Sequence, residues 1–340
     1  MSWKKDFANS IRSQKELESF LDYKVSSTNY PIFIPKSFAQ RIKESGVNSP
    51  LWNQFIPNKQ ETNSTQGLAD PIGDQQHQKD GGIIHRYKSR ILYNPTVKCP
   101  INCRYCFRKN ELFENLDTFR PSLEKLQAYL GNNKEVEEVI LTGGDPLILS
   151  DSKIEKILNI LSTHKHVKYV RFHSRTPVIL PSRMDENLSQ VLKKYTDSFE
   201  TITLVIHTNH SIELSDDLKK NLENFKFLNI LSQSVLLKGV NDSLNQLINL
   251  FKALNKMNIK PYYLHHPDQV LGAMHFYIPI EQGRELYGQL RDCLPGWLIP
   301  HYIIDTPTGS GKNLAYNSES ISHSGKILDR FNQEHFFEVN

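Results

Sequence analysis

Cysteine is scarce in this chain: four residues in 340, three of them within eight positions. That excludes an even-numbered disulfide framework, and no second C-x2-C pair exists to complete the paired knuckles of a structural zinc site. Long apolar runs are missing too. None approaches the roughly 20 residues needed to cross a bilayer, and the first segment, MSWKKDFANSIRSQKELESF, has no apolar core of a secretory leader. Charge of one sign is also lacking. The 41 Lys and Arg against 37 Asp and Glu leave +4, too little and too dispersed for a nucleic-acid footprint. These absences predict a soluble cytoplasmic protein that binds neither nucleic acid nor membrane and whose substrate is a small molecule.

What is present is concentrated chemistry. Cys99, Cys103 and Cys106 stand in VKCPINCRYCFRKN with the spacing C-x3-C-x2-C. Three thiolates hold three irons of a four-iron cube, so the fourth iron keeps an open position for a small chelating ligand. Such a cluster belongs to an enzyme rather than to an electron carrier. The remaining Cys293, in RELYGQLRDCL, reads as a buried small apolar residue on an amphipathic helix.

The chain divides by pattern. Residues 1–85 carry short helical segments and then NKQETNSTQGLADPIGDQQHQKDGG, a polar loop or wrapping arm. From Ile91 onward, β-branched runs alternate with helix-period segments. The strand candidates are RILYNPT, EEVILTGG, KYVRFHS, TITLVIHT, LNILSQSVLL and KPYYLHH, and the helices lie between them. Parallel βα units follow, and the α/β fold expected is a partial (βα)6 TIM-like barrel over 86–285. Residues 286–340 add a helix, a glycine-rich loop and a tail. The distinctive residues cluster at the C-terminal ends of the strands, where barrel chemistry sits: the cysteines, GGD, HSR, HTNH, Gln233 and Asp268.

Two loops stand out. LTGGDPL places Gly143, Gly144 and Asp145 at a strand end, where bare backbone can approach a ligand closely, although such a turn is common in its own right. IIDTPTGSGKNLAY sets Asp305 and Lys312 around a glycine-rich loop. A P-loop is disfavoured, because Thr306 and Asn313 stand where it requires Gly and Ser or Thr. A lysine on such a loop is suited to a Schiff base with pyridoxal phosphate (PLP) once its amine is desolvated.

The cysteine motif, with Tyr105 before the last cysteine, resembles that of the radical S-adenosylmethionine (SAM) enzymes. HRYKSRILY, LTGGDPL, HSRTPVILPSR, the H-x-N-H of His207 to His210, SQSVLLKGVND, YYLHHPDQVLGAMHF and the Lys312 loop resemble, in the same order, segments of the lysine 2,3-aminomutases. The resemblance implies a radical SAM barrel with a [4Fe-4S] cluster, SAM and PLP. It implies that Gly143, Gly144 and Asp145 meet the methionine amino group of SAM, with His207 and Gln233 on the same side. Lys312 then holds PLP, Arg86 and Arg90 lie near its phosphate, and Tyr87 packs near its ring. Arg108 clamps the substrate carboxylate, and Asp268 and Asp305 hold the ε-ammonium of lysine. The implied activity is that of an isomerase, interconverting L-α-lysine and β-lysine by a 5′-deoxyadenosyl radical, with a flavodoxin or ferredoxin as electron donor.

FIPKSFAQRI, DP-x2-DQQHQ and YYLHHPDQVLGAMHF resemble the short enzymes that make (R)-β-lysine for elongation factor P, which implies a functional link to the elongation factor P ligase. DTPTGSGK, by contrast, resembles the catabolic enzymes. A catabolic or osmolyte-related aminomutase, an aminomutase for another amino acid, a radical SAM enzyme without PLP and a non-enzymatic iron–sulfur scaffold are the alternatives that the residues leave open.

Overall fold

In the computed structural model, which describes residues 2–63, 65–114, 120–307, 309–316, 326–328 and 333–336, short helices precede the first strand. They are α1 (Trp3–Ala8), α2 (Gln14–Leu21), α3 (Lys36–Ser45), α4 (Pro50–Phe55) and α5 (Gln60–Asn63). Ser13 and Ser49 start α2 and α4 by accepting hydrogen bonds from the backbone N–H groups of Glu16 and Trp52, which satisfies donors that a helix start leaves open.

A ten-stranded sheet then forms in sequential order. β1 (Gln78–Lys79), β2 (Ile83–Tyr87) and β3 (Arg90–Tyr93) run antiparallel to one another. β4 (Glu138–Leu141), β5 (Tyr169–Ser174), β6 (Thr201–His207), β7 (Asn229–Val235), β8 (Lys260–His265) and β9 (His301–Asp305) follow β3 in parallel. β10 (Lys312–Leu314) turns back antiparallel on β9. The crossovers contain α6 (Lys109–Glu114), α7 (Leu123–Asn132), α8 (Asp151–Thr163), α9 (Thr176–Ile179), α10 (Glu186–Lys193), α11 (Asp216–Leu222), α12 (Leu244–Lys256) and α13 (Ile280–Cys293). All six expected strands are present. The structure adds β9 as a further parallel strand, and the sheet reaches past 86–285 at both ends, through β1 and β2 and through β9 and β10. Part of the expected C-terminal tail lies outside the described residues.

Strand parity decides what faces the barrel interior. Ile91, Val139, Val170 and Ile202 are register partners in successive strands and are all buried. They belong to the same apolar core as Leu126, Leu130, Ile154, Leu158, Leu188 and Leu192 of the surrounding helices. The alternate positions turn inward, and many are polar: Glu138, Arg171, His173, Thr203, His207, Gln233 and His265 all line one cavity. A barrel filled for packing alone would carry branched apolar side chains there. This interior is built around ligands.

Buried ionic contacts fasten the N-terminal arm to the cysteine loop. Arg104, between Cys103 and Cys106, is 1% exposed; its Nε donates to Glu61 Oε1 at 2.8 Å and its Nη2 to Thr28 Oγ1 at 2.7 Å. Lys109 Nζ reaches the same Glu61 carboxylate at 3.4 Å and the Gly272 carbonyl at 3.0 Å. Backbone bonds from Asn102 N to Phe33 O (3.0 Å) and from Arg104 N to Gln54 O (2.9 Å) complete the clasp. Removing one partner of a buried ion pair strands the other charge, at about 3–5 kcal/mol. Glu61→Gln is therefore expected to cost stability on that scale in chemical denaturation and to lower the iron bound per chain after reconstitution. Glu44→Gln, on the exposed face of α3, should shift the midpoint by less than about 0.5 kcal/mol.

Candidate active site

Every residue given a cofactor, substrate or metal role in the sequence lines one cavity of about 580 Å³ inside the barrel. The three cysteines stand at one end and Lys312 at the other. Burial, followed by the charges of neighbouring groups, raises the Cys99 thiol well above its ordinary range; burial and Cys103 push Cys106 up to about 12. Buried thiolates crowded in this way need cationic metal beside them. Among the described residues no three His, Cys, Asp or Glu side chains converge closely enough for a single ion, the cysteines included. Three thiols on one short loop, all lining one cavity, are a donor set that fits three irons of a multi-iron cluster.

Around the cysteines the contacts are mostly hydrogen bonds. The Tyr105 hydroxyl meets His207 Nε2 at 3.0 Å, with the two rings stacked at 5.8 Å. Arg175 donates to the same hydroxyl, to Glu213 Oε2 (2.7 Å) and to Gln54 Oε1 (3.0 Å). Burial, then the charge of Arg175, depresses the His207 pKa far below its usual value, so the imidazole is neutral. Gly143 has φ +96°, and a Cβ there would come within 2.8 Å of Asn94 Cβ; at Gly144 it would come within 2.6 Å of the Val97 carbonyl carbon. The glycine pair is thus required by the close passage of the cysteine loop. Asp145 lines the cavity with the glycine pair, and its side chain also has a structural part. Its carboxylate accepts from Leu147 N, Ser174 Oγ, Arg175 N and Thr176 N at 2.7–3.0 Å, which ties the ends of β4 and β5 together and leaves it committed to protein donors.

At the opposite end charges dominate. Lys312 Nζ donates to both oxygens of Asp305, at 2.9 and 2.7 Å. His265 Nδ1 and Arg86 Nη1 approach the same carboxylate at 3.6 and 3.7 Å. Burial alone would raise the Asp305 pKa, but the hydrogen bond from His265 and the charge of Lys312 outweigh it and hold the group well below the usual carboxylate range. Asp268, nearby and without such a pair, is pushed up to about 7 by burial and by Asp305. Tyr87 takes a place slightly different from the one expected. Its hydroxyl accepts from the backbone N–H of Lys312 at 2.7 Å, and its ring carries the Arg90 guanidinium at 3.7 Å.

Sequence reasoning missed Asp74. Its two carboxylate oxygens hold Arg86 Nη2 at 2.7 Å and Arg108 Nη2 at 2.6 Å, which joins the two arginines assigned to different ligands. The signal was an acidic residue, itself only 2% exposed, inside a polar segment read merely as an arm. The Nε atoms of both arginines are buried with no hydrogen-bond partner among the described residues. Both side chains line the cavity, and the guanidinium fork suits a cofactor phosphate or a substrate carboxylate. His173, the first residue of the HSR cluster read at the end of its strand, lines the cavity, and its buried Nε2 has no partner among the described residues. Cys293 corrects another expectation. It is exposed, because the buried stripe of α13 runs through Gly283, Leu286, Tyr287 and Leu290.

The raised pKa of Asp268 has a consequence for stability. An ordinary Asp titrates near 3.9, so between about pH 4 and 7 the unliganded folded state binds the extra proton, and stability falls as pH rises through that window. Glu111, also pushed to about 7 by burial, acts in the same direction. Asp268→Asn is expected to flatten the decline and to be more stable than the parent at pH 8, by on the order of 2–4 kcal/mol, with little difference at pH 4. Urea denaturation of the unliganded protein at the two pH values measures this.

Residues 93–251 match the family described as the Radical SAM superfamily. L-lysine 2,3-aminomutase from Buchnera aphidicola is 34% identical over 92% of this chain and 93% of its own length. The proteins of that name from Escherichia coli and Clostridium subterminale are 32% and 31% identical, over 80% and 97% of this chain and 79% and 82% of theirs. With cysteines, paired arginines and loop lysine gathered in one cavity, the chain belongs to the lysine 2,3-aminomutase family of radical SAM isomerases, whose cofactors are a [4Fe-4S] cluster, SAM and PLP.

Proposed function

We propose that this chain is itself an L-lysine 2,3-aminomutase that interconverts L-α-lysine and β-lysine. The observation that carries the reading is the Lys312 ammonium on Asp305, at 2.7 and 2.9 Å, with Asp268 lining the same cavity. The pocket already solvates one lysine ε-ammonium, and a second carboxylate stands ready for another. An acidic or apolar substrate side chain would leave these buried carboxylates without a cation.

When bound, the cluster and SAM supply a 5′-deoxyadenosyl radical, and PLP supplies a conjugated ring that delocalises the radical while the amino group moves from C2 to C3. The chain's own residues position and enclose. Cys99, Cys103 and Cys106 hold three irons. Gly143 and Gly144, with His207 and Gln233, line the SAM side. Lys312 holds PLP through its Nζ, and Arg86 and Arg90 take the phosphate. Arg108, which lines the cavity, takes the substrate carboxylate. Asp305 exchanges the Lys312 ammonium for that of the substrate, and Asp268 loses its proton to complete the pair. The cavity walls exclude water from the reacting atoms.

The pathway we favour is supply of (R)-β-lysine for modification of elongation factor P, supported by the FIPKSFAQRI, DP-x2-DQQHQ and YYLHHPDQVLGAMHF segments. The test is anaerobic: reconstituted enzyme with SAM, PLP and dithionite, offered lysine, ornithine, glutamate or alanine, followed by chiral analysis of the products. β-Lysine is the expected product, and rearrangement of glutamate alone would overturn the role of the aspartates. Asp305→Asn is expected to lower kcat/KM for lysine by about 100-fold or more, the scale of a broken buried charge pair. Lys312→Ala should lose the borohydride-reducible PLP absorbance while keeping its iron and its reductive cleavage of SAM.

A further inference from the structure

A second depression, of about 600 Å³, lies against the outer side of the cysteine loop. Val97 and Lys98 line it, while the next residue, Cys99, lines the active-site cavity. Likewise Ile148 and Leu149 face the groove and Gly143 to Asp145 face the cavity. A single thickness of chain therefore separates the two. It is held by hydrogen bonds from Gly144 N to Thr96 O and from Asp145 N to Lys98 O, both 2.8 Å.

The groove is apolar in its floor, with Phe7, Pro95, Val97, Ile148 and Leu149, and among the described residues its charged lining side chains are Lys98, Lys153 and Arg120, of which Arg120 has a partner of its own. All three are exposed. Ser150, the N-cap of α8, and Pro121, next to the N-cap Ser122 of α7, also line it; Asp151 and Glu124 in the first turns of these helices offset their N-terminal dipoles, so the positive rim is that of the lysines. An apolar centre with a rim of one charge sign is the anatomy of a docking surface for a partner of opposite charge. The N-terminal arm, through Phe33 and Gln54, covers the cysteine loop elsewhere.

We propose that this groove docks a small acidic one-electron carrier protein, of the flavodoxin or ferredoxin class, which reduces the cluster through the Val97–Cys99 wall. The carrier is oxidised by one electron and the cluster is reduced by one, with no atom transferred. The proposal rests on the cluster assignment and is independent of the substrate.

The test compares two reductants on the reconstituted holoenzyme. Reduced flavodoxin must dock, whereas dithionite need not. In Lys98→Glu/Lys153→Glu, affinity for flavodoxin and flavodoxin-driven SAM cleavage are both expected to fall about tenfold or more at low ionic strength. Dithionite-driven cleavage should stay within about twofold, since neither side chain belongs to the active site, and Lys98→Gln/Lys153→Gln should fall in between. Added salt should weaken flavodoxin binding by the parent and narrow the gap. Unchanged flavodoxin-driven cleavage, an equal loss with both reductants, or an equal loss in Lys252→Glu/Lys256→Glu on α12 would each overturn the proposal. Dithionite-driven cleavage by the parent reports the cluster assignment alone, so the two readings fail separately.

Discussion

The ammonium of Lys312 on the carboxylate of Asp305 fixes what this barrel can do. A carboxylate only 6% exposed is tolerable because a cation sits on it, and here that cation is the side chain assigned to the cofactor. Once Lys312 is engaged elsewhere, Asp305 needs a replacement of the same charge and similar shape. The ammonium of a lysine substrate is such a replacement. Asp268 adjusts by protonation while the second cation is absent, so the pocket stays close to electroneutral in either state. On the proposed reading, holding PLP and binding substrate are therefore linked through one carboxylate, with no conformational switch required.

The same demand for pairing explains why the N-terminal arm belongs to the barrel. The cysteine loop and the start of the sheet are rich in buried cations: Arg86, Arg104, Arg108 and Lys109. The anions that pair them, Glu61 and Asp74, come from the arm. Gln54, also from the arm, accepts from Arg175 and donates to Glu213. Strand and helix propensities alone could form the sheet, but its interior would hold unpaired charge at both ends of the cavity. The loop after β8 joins this system through the pairing of Leu68 with Val270 and through the Lys109 bond to Gly272. Asp268 is thus held in register with the cysteine loop.

Much of this was legible in the sequence, for physical reasons. The continuous apolar run of VIL, the period of two in VRFHS and the period near 3.6 in IEKILNIL report what is buried, and burial is what a strand or helix needs in order to persist. The cysteine spacing and the lysine in its glycine-rich loop are local, so they survive translation into three dimensions. Asp74 and Glu61 were not legible, since their function is set by partners 12 to 48 residues away and their surroundings look like any solvated arm. Asp145 was read as a ligand-facing group because its neighbours are. Besides Leu147 N, the donors to its carboxylate come from Ser174 at the end of β5 and from Arg175 and Thr176 just after it, which no pattern in LTGGDPL foreshadows. The exposure of Cys293 shows how coarse a helical stripe is near a helix end, where one residue of rotation moves a side chain from core to solvent.

The two ends of the cavity differ in a way that suits the proposed reaction. The cysteine end offers a neutral imidazole, a phenol, the apolar side chains of Leu237, Val240 and Phe276 packed around Tyr105, and charges already paired with one another, Arg175 with Glu213. The lysine end offers carboxylates and guanidinium groups. A carbon radical gains little from charge and is endangered by nearby exchangeable protons, so it is best generated where polar groups are hydrogen-bonded and water is excluded. An amino acid with charges at both termini is oriented best by fixed charges placed apart, Arg108 for one and the aspartates for the other. The reacting carbons then lie between them because both ends are held. A shorter ammonium side chain could satisfy only one anchor at a time, and a carboxylate side chain would add a further negative charge beside Asp305. On the proposed reading, substrate charge is selected by the anchors, Arg108 and the aspartates, while the radical end needs no knowledge of the substrate.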